Sequence, residues 1–352
     1  TALGLMSGTS LDGVDVSIIK SDGNKEFSSI LDRYFEYDKE LIQKILILRE
    51  KITDSEQLNK YLNEIKDLER EITLFHAEAI NETLGMTKSS VDLIGFHGQT
   101  IFHDPEKKIT KQLGDGKLLS QLTKKIVINN FRQKDLENDG QGAPLTPIFH
   151  KTISQIISHD RNINFPITII NIGGISNATV MFKDKKEIHF KAKDIGPGNC
   201  LIDEWVKNNS KLKFDENGNI AKSGKIDELI LNQAKENFII SSYEKSLDTK
   251  DFDLSFVRGL SLEDGCATIS DFTAYLISNG LRYLNSLKKN DHGYFLLSGG
   301  GRKNMYLIEL IQKYLSNTNI KLKNIDDFGF NGDFTESQAF GYLAIRSYLG
   351  LP

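Results

Sequence analysis

The chain alternates short apolar runs with glycine-containing turns. Residues 4–15, which are followed by alternating apolar positions up to Ile18, predict a strand, a tight turn and a second strand. Further apolar runs at 91–96, 167–172 and 294–297 each lead into a turn that contains glycine. Each run predicts a strand whose C-terminal end opens into a loop, which is where open α/β sheets bind their ligands.

Helical patterns separate these strands. Apolar residues recur at helical spacing over 58–85, and Thr53 and Glu56 precede them at the spacing of a capping box. The polar stretch 212–224, rich in Gly, Asn and Lys, is expected to be a mobile loop. The other predicted elements are a strand at 125–129, a hairpin at 180–190, and helices at 262–287, 305–315 and 335–349. This alternation of strands and helices predicts the α/β class.

Composition limits the classes of function. A chain of 352 residues is long enough for two domains, and its 39% hydrophobic and 26% charged residues are typical of a soluble globular protein. The net charge of −4 gives no reason to expect a nucleic acid or an acidic membrane as partner. Because Cys200 and Cys266 are the only cysteines, and no signal peptide or apolar run of about 20 residues is visible, we expect a cytoplasmic protein.

The first glycine-rich turn has the chemistry of a phosphate site. Gly8 allows close backbone approach, and the hydroxyls of Ser7, Thr9 and Ser10 add donors to the backbone amides. Asp12 would repel a phosphate, so its presence indicates a bridging divalent cation or its water shell. An ordinary Ser/Gly turn is the alternative. Neither a Walker loop nor the dinucleotide-binding glycine pattern occurs in the sequence.

Several motifs together resemble the actin, hexokinase and heat-shock-ATPase superfamily and, within it, the anhydro-N-acetylmuramic acid kinase family. In that superfamily two related domains each present a phosphate hairpin, and a late glycine turn holds adenosine. The resemblance extends over essentially the whole chain. The motifs that carry it are residues 4–15, Gly95-Phe96-His97-Gly98-Gln99-Thr100-Ile101-Phe102-His103, Phe131-Arg132, residues 140–147, Asn171-Ile172-Gly173-Gly174-Ile175-Ser176-Asn177 and Asp194-Ile195-Gly196-Pro197-Gly198-Asn199.

The resemblance implies a fold and an activity. It implies two actin/hexokinase-like (ribonuclease H-like) domains with an ATP cleft between them, and from the order of the predicted elements we place these domains at 1–130 plus 331–352 and at 131–330. The activity is hydrolytic ring opening and 6-phosphorylation of 1,6-anhydro-N-acetylmuramic acid in peptidoglycan recycling, with ATP and Mg²⁺ as cofactors. A homodimer is implied by resemblance alone.

The resemblance also assigns residues to three groups. For the nucleotide it implies Gly8, Thr9, Ser10, Asp12, Gly173, Gly174, Gly299, Gly300, Gly301 and Asn304, with Asp12 reaching Mg²⁺ through water. For the sugar it implies His97, Gln99, Thr100 and Arg132. Arg132 suits a carboxylate such as the lactyl group, because guanidinium is a planar bidentate donor, but it could equally serve phosphate or brace the loop.

Asp194 matches the catalytic aspartate of the family, and inverting hydrolysis needs such a carboxylate to take a proton from the attacking water. The alternative role is that Asp194 caps or orients the turn that starts the next helix. Asp203 is expected to play a supporting or solvent-facing role. A metal site at His97 and His103 is disfavoured, because their spacing is not that of a zinc helix and no Cys or Glu completes a ligand set.

The chain departs from the family pattern at two places, which makes substrate preference less secure than fold. Asp139 stands where the family usually has glycine, and residues 334–337 replace a Trp-Lys-Glu-Ala stretch. Two other functions stay open: a sugar or amino-sugar kinase in which Asp194 deprotonates a free hydroxyl, and a non-enzymatic ATP-binding switch. The mass of the product distinguishes the three.

Overall fold

A computed structural model describes residues 1–8, 11–185, 187–237, 247, 249–288 and 291–352. Within them the strands are β1 (Ala2–Ser7), β2 (Gly13–Ser21), β3 (Phe27–Glu36), β4 (Leu93–Asp104), β5 (Ile109–Leu113), β6 (Ile126–Asn129), β7 (Ile167–Ile172), β8 (Ile175–Asp184), β9 (Glu187–Pro197), β10 (His292–Ser298) and β11 (Asn319–Asn324). The helices are α1 (Lys39–Lys51), α2 (Gln57–Lys60), α3 (Leu62–Gly85), α4 (Gly116–Thr123), α5 (Phe131–Glu137), α6 (Pro147–Arg161), α7 (Cys200–Asn209), α8 (Asn219–Ser223), α9 (Glu228–Asn237), α10 (Leu262–Asn285), α11 (Met305–Tyr314) and α12 (Thr335–Tyr348). The predicted α/β class is confirmed.

The described chain forms two compact units, Thr1–Ile156 with Phe334–Pro352 and Ile157–Asp333. The first change of unit therefore falls inside α6, later than the position near Asn130 expected from the sequence. The reason is that the first half of α6 packs within the first unit. The Phe149 ring lies 4.9 Å from that of Phe27, and Thr152 Oγ1 is 2.8 Å from the Tyr342 hydroxyl.

The two units share one sheet topology. In the first, the order is β3-β2-β1-β4-β5, with β6 also paired to β4; β1, β2 and β3 are antiparallel neighbours, and β4 and β6 run parallel to β1. In the second, the order is β11-β10-β7-β8-β9, with β7, β8 and β9 antiparallel and β10 and β11 parallel to β7. Each unit therefore contains a three-stranded meander and two parallel strands on the other side of its first strand, and the first unit adds β5, which is antiparallel to β4.

The sheet of the first unit presents a different surface on each face. Leu3 and Leu5 are fully buried in an apolar cluster that α1 and α3 complete. Gly4 lies between them and faces α12, because an added Cβ would stand 1.9 Å from the carbonyl oxygen of Ser337. Glycine at this position lets the helix backbone approach the strand directly.

The structure corrects three expectations about secondary structure. The stretch 212–224 holds a short 3₁₀ helix, Glu216–Gly218, and α8, because the Asp215 carboxylate accepts hydrogen bonds from the amides of Ile220 (2.7 Å) and Ala221 (3.0 Å). The capping box predicted at Thr53 and Glu56 does not form: Glu56 is the N-cap residue of α2 but makes no side-chain capping bond, and the Gln57 amide instead donates to Asp54 Oδ1 at 3.2 Å.

The third correction concerns β4. The apolar run at 91–96 does not end at the turn that contains Gly98, because β4 continues to Asp104 by pairing with β5. His97, Gln99 and Thr100 therefore lie on a strand instead of a loop. No helix among the described residues is both long enough and apolar enough to span a lipid bilayer.

Candidate functional site

In each unit, the predicted site residues collect at one edge of the sheet. In the first unit, the β1–β2 turn follows Ser7, which is paired with Gln99 of β4, and Arg132 lies at the start of the helix after β6. In the second unit, Gly173 and Gly174 form the turn between β7 and β8, Asp194 lies near the end of β9, and residues 299–304 follow β10. Carboxyl edges of parallel strands are where open α/β sheets bind ligands.

The β1–β2 turn is attached to its neighbours at both ends. The Gln99 Nε2 amide donates to the carbonyl oxygen of Gly8 at 3.1 Å, and the Tyr37 amide donates to that of Asp12 at 2.9 Å. Leu11 adopts a left-handed conformation with φ of 58°. Thr9 and Ser10, both predicted to bind nucleotide, lie outside the described residues. The Asp12 side chain is exposed at the tip.

The hydroxyl of Ser7 does not line the turn as the sequence suggested. Ser7 is 2% exposed, and its Oγ lies 2.8 Å from the Tyr37 hydroxyl and 3.2 Å from His76 Nε2. The physical reason is strand alternation, because Ser7 occupies the same face of β1 as Leu3 and Leu5, which point into the core. The Ser7 side chain therefore points into the core of the first unit and not into the turn.

His97 and Arg132 form a bonded pair in the first unit. The Arg132 Nε–H donates to His97 Nε2 at 2.8 Å, and the opposite ring nitrogen, Nδ1, donates to the carbonyl of Gly98 at 2.7 Å. Burial, followed by the nearby guanidinium, holds the pKa of His97 well below its usual range, so the ring is neutral. Both ring nitrogens are already bonded, so the geometry favours His97 as the residue that orients Arg132.

Other polar groups surround this pair. Arg132 Nη1 also donates to the carbonyl of Gly142 at 3.1 Å. Thr100 Oγ1 accepts from Gln112 Nε2 at 3.3 Å. Glu336, half-buried in the first turn of α12, has a pKa raised by burial, and the positive charge of Arg132 opposes that shift. Residues 334–337 stood out in the sequence only as a departure from the family pattern, so the electrostatic interaction of the Glu336 carboxyl group with Arg132 was missed.

Asp139 shows what its departure from the family pattern does. Its backbone has φ of 65°, a left-handed conformation that glycine adopts without strain and that aspartate tolerates better than most residues. Its exposed carboxylate pairs with Lys108 Nζ at 2.6 Å, and that hydrogen bond lowers its pKa. The substitution therefore keeps the turn and adds a surface ion pair.

In the second unit, the Gly173–Gly174 turn packs against the start of α7. The carbonyl oxygen of Gly173 accepts from the amide of Asn199 at 2.7 Å, and that of Gly174 accepts from the amides of Gly198 at 2.8 Å and Cys200 at 3.3 Å. Burial raises the pKa of the Cys200 thiol to about 11, so it is no nucleophile at neutral pH. The turn and the helix start therefore form one rigid corner.

Asp194 lies within β9, paired with Asn177, and is half-buried. The N-cap residue of α7 is Asn199, so the structure does not place Asp194 in the capping role that the sequence left open. Its Oδ2 accepts a hydrogen bond from the amide of Leu247 at 2.8 Å. A bulge after this pair, where Ser176 faces Gly196, turns the end of β9 toward α7. Asp203 is half-buried in the first turn of α7.

The glycine turn after β10 is braced by a nearly buried arginine. Arg302 donates to Asp326 Oδ2 (2.7 Å), to Asp333 Oδ1 (2.5 Å) and to the carbonyl oxygen of Gly299 (3.0 Å). The two carboxylates more than offset the effect of burial, and the pKa of Arg302 is raised. Asn304 is the N-cap of α11, with its Oδ1 accepting from the amide of Leu307 at 3.0 Å. The glycine turn, residues 299–301, is therefore bonded at its first residue by Arg302, and α11 begins directly after it at the Asn304 cap.

No group of three His, Cys, Asp or Glu side chains in the part of the chain that the structure describes is arranged to hold a metal ion. A single carboxylate at an exposed turn fits Mg²⁺, which keeps several of its waters and is bound through one or two carboxylates and substrate phosphates. Asp12, predicted to reach Mg²⁺ through water, is an exposed carboxylate next to the β1–β2 turn.

A buried histidine in α6 makes the stability of the first unit sensitive to acid. His150 is 1% exposed, and burial lowers its pKa to about 3. Below a pH of about 6.5, the ordinary pKa of histidine, the His150 side chain is protonated in the unfolded chain but stays neutral in the folded chain. The free energy of unfolding therefore falls as the pH falls. Between pH 7.5 and pH 5, we expect urea unfolding to show a loss about 2 kcal/mol larger in the wild type than in His150→Leu. Replacing the exposed His159 with Gln should leave the wild-type loss unchanged, and equal losses in all three proteins would contradict the prediction.

Comparison with known proteins identifies the family. A family model described as "Anhydro-N-acetylmuramic acid kinase" matches residues 1–352. A protein of that name from Pelagibacter ubique (strain HTCC1062) is 51% identical over 352 residues, which cover 99% of this chain and 92% of the relative. One from Rhodopseudomonas palustris (strain ATCC BAA-98 / CGA009) is 36% identical, over 100% of this chain and 94% of the relative.

Solved structures resemble the chain more distantly. An activator of 2-hydroxyisocaproyl-CoA dehydratase from Clostridium difficile with bound ADPNP matches with a TM-score of 0.43 and 14% identity, over 99% of this chain and 96% of that one. A hexokinase from Schistosoma mansoni complexed with glucose matches with a TM-score of 0.42 and 10% identity, over 97% and 84%. The full-length family match and the identities of the relatives decide the assignment: the chain belongs to the anhydro-N-acetylmuramic acid kinase family.

Proposed function

We propose that this protein opens the anhydro ring of 1,6-anhydro-N-acetylmuramic acid with water and phosphorylates O6 with ATP, giving N-acetylmuramate 6-phosphate and ADP for peptidoglycan recycling. The observation that carries the proposal is the match to the kinase family over residues 1–352. The collection of candidate residues at one sheet edge of each unit supports it.

The phosphates of ATP would be bound by backbone turns. We assign them to Gly8–Asp12, including the undescribed Thr9 and Ser10, and to Gly173 and Gly174. Such turns suit phosphate because their amides donate without adding side-chain bulk. Asp12 would hold Mg²⁺ through its water shell, and the ion, when bound, neutralises charge on the phosphates. Phosphoryl transfer asks the protein mainly for positioning and charge stabilisation.

We assign the adenosine side to the turn that Arg302 braces. Gly299, Gly300 and Gly301 present backbone with no side chain, and Asn304 lies at the end of this turn. The bonds of Arg302 to Gly299 and to two carboxylates fix the turn before nucleotide arrives. A turn that is already ordered loses less conformational entropy when it binds.

The sugar would be bound by β4 and by the residue after β6. Gln99 is fully buried, and its Oε1 has no hydrogen-bond partner among the described residues, so it can accept from a donor on the substrate. Arg132, oriented by His97, suits the lactyl carboxylate through its planar donors. Thr100 would add a hydroxyl on the same strand.

We assign the base to Asp194. Water attacks the anomeric carbon, its proton passes to the Asp194 carboxylate, and the bond from that carbon to O6 breaks. O6 then forms a bond to the γ-phosphorus while the bond from that phosphorus to ADP breaks. No separate acid for O6 is needed, because phosphorylation captures it. A single water that attacks opposite the departing O6 inverts the anomeric configuration.

The test is turnover in ¹⁸O-water. We expect the label on the anomeric oxygen, an inverted initial anomer, and no label in the phosphate, when product is read before mutarotation and solvent exchange. Label in the phosphate or retained configuration would contradict the coupled mechanism. A phosphorylated sugar without added water would identify an ordinary sugar kinase, and release of phosphate without a sugar product would identify an ATP-driven switch.

We also propose, from the family resemblance, that the enzyme is a homodimer and that it works in the cytoplasm, where ATP is available. The pairing of two copies of this chain rests on the resemblance alone.

A further inference from the structure

Three buried polar side chains meet at the base of the β1–β2 turn. Ser7 and Tyr37 are each 2% exposed, and His76 is fully buried. Ser7 Oγ lies 2.8 Å from the Tyr37 hydroxyl and 3.2 Å from His76 Nε2. The sequence suggested the Ser7 hydroxyl as a phosphate donor, but the structure buries it, and neither Tyr37 nor His76 belongs to the predicted nucleotide or sugar residues. Burying a polar group costs free energy unless the group is hydrogen-bonded, so the presence of three polar side chains in the core calls for an explanation.

The donor and the acceptor of each hydrogen bond in this group can be assigned. His76 Nδ1 lies 2.8 Å from the carbonyl oxygen of Ile72, which can only accept, so Nδ1 carries the proton. Burial lowers the pKa of His76 to about 4, which keeps the ring neutral and leaves Nε2 as an acceptor. Ser7 therefore donates to His76, and the Tyr37 hydroxyl donates to Ser7. The chain of bonds runs from Tyr37 through Ser7 to His76.

Tyr37 also holds the other end of the turn. Its backbone amide donates to the carbonyl oxygen of Asp12 at 2.9 Å, while its hydroxyl bonds Ser7. Tyr37 therefore bonds the residues on both sides of the turn, Ser7 before it and Asp12 after it. A third bond, from Gln99 Nε2 to the carbonyl of Gly8, fixes the tip from β4.

Aromatic packing makes this arrangement stiff. The Tyr37 ring meets Phe75 edge to face at 4.9 Å, and the His76 ring lies 5.1 Å from that of Phe96. Side chains of similar shape without polar atoms would fill the same space. What the polar groups add is direction, because a hydrogen bond is favourable only over a narrow range of distance and angle and therefore restrains the position of Ser7 at the start of the turn.

We propose that Tyr37, Ser7 and His76 are positioning residues for phosphoryl transfer, which fix the two described ends of the β1–β2 turn, Gly8 and Asp12, where the phosphates of ATP would bind. The inference rests on the proposed function of this turn. It predicts a selective defect toward the phosphates, because the three side chains belong to the first unit, whereas the proposed adenosine turn and Asp194 belong to the second.

The experiment compares Ser7→Ala, Tyr37→Phe, His76→Leu and His76→Gln in the full chain. For the first three, we expect the KM for ATP to rise about tenfold, the effect of one lost buried hydrogen bond. The KM for the anhydro sugar and the dissociation constant for adenosine, which has no phosphate, should stay within about twofold, the experimental scatter of such constants. His76→Gln keeps an acceptor near the position of Nε2 and should restore most of the wild-type KM for ATP.

A matched control separates this effect from loss of stability. Ser17 is a fully buried serine on β2 with two bonds of its own, to Asp32 at 2.6 Å and to Ser337 at 2.7 Å. Ser17→Ala should lower the melting temperature without changing the KM for ATP. An unchanged KM for ATP in Ser7→Ala, or an equal rise in Ser17→Ala, would overturn the inference.

Two arms keep the result decisive. If Ser7→Ala does not fold, Tyr37→Phe decides by the same criteria, because it keeps the ring and the backbone bond to Asp12. If the wild type transfers no phosphoryl group to the anhydro sugar, the proposed function fails. In that case ATP and adenosine affinities, measured by calorimetry on wild type and Ser7→Ala, still test whether the three residues position the turn.

Discussion

Replacing Asp194 with Asn is expected to lower kcat by about 10²–10⁴, the contribution of a positioned general base, while ATP still binds. The amide is the same size as the carboxylate, and its oxygen can still accept the hydrogen bond that Asp194 receives from the Leu247 amide. What the substitution removes is the basic oxygen that would take the proton from water. Steady-state kinetics with both substrates varied, together with calorimetric titration of ATP, measure the two quantities.

Asp203→Asn is the matched control for this prediction. Asp203 lies in the first turn of α7, also half-buried, and its expected role is supporting, so its loss should change kcat by less than about tenfold. If Asp194→Asn lowers kcat by less than tenfold, the base lies elsewhere, and a large effect in Asp203→Asn would point to it. An equal loss of ATP affinity in Asp194→Asn would instead indicate a role in nucleotide binding.

The strands that lead into glycine turns could be predicted from the sequence because their signals are local. Each is an apolar run of four to six residues with a glycine within two residues of its end, and β7 with its turn at Gly173 was predicted in this way. The run at 91–96 shows the limit of local evidence. The sequence of this run does not predict that β5 pairs with the residues beyond Gly98 and extends β4 to Asp104.

Side-chain direction was the part of the site that motif reasoning got wrong. In a glycine-rich motif, the Ser7 hydroxyl looks like a phosphate donor, yet Leu3, Leu5 and Ser7 alternate onto one face of β1. That period of two was visible in the sequence and predicts a buried hydroxyl. Its partners, Tyr37 and His76, are 30 and 69 residues away along the chain, so they could not be found without the structure.

The boundary inside α6 could not be read from the sequence for a similar reason. A helix has the same local pattern whichever unit it packs against. The decision is made by contacts such as those of Phe149 with Phe27 and Tyr342, which join distant parts of the chain. The domain ranges expected from the family resemblance therefore stay a prediction, while the two compact units are observed.

Gly300→Val is expected to raise the KM for ATP at least about tenfold while the protein stays folded. The three glycines at 299–301 look alike in the sequence, but they differ in the space around them. A Cβ on Gly299 would stand 2.3 Å from Asn171 Oδ1, on a backbone with φ of 78°, and one on Gly301 would stand 2.2 Å from Ile172 Cγ2. A Cβ on Gly300 meets nothing within 4 Å.

Gly300 is therefore the position where a side chain can obstruct a ligand without disturbing the fold. Gly85→Val is the matched control, since Gly85 ends α3 and also has open space around it. It should leave the KM for ATP unchanged. Gly299→Val, by contrast, should lower the melting temperature, so a loss of activity there would say nothing about nucleotide. If folded Gly300→Val binds ATP as the wild type does, the adenosine side does not lie at this turn, and the bonds of Arg302 to Gly299, Asp326 and Asp333 serve stability alone.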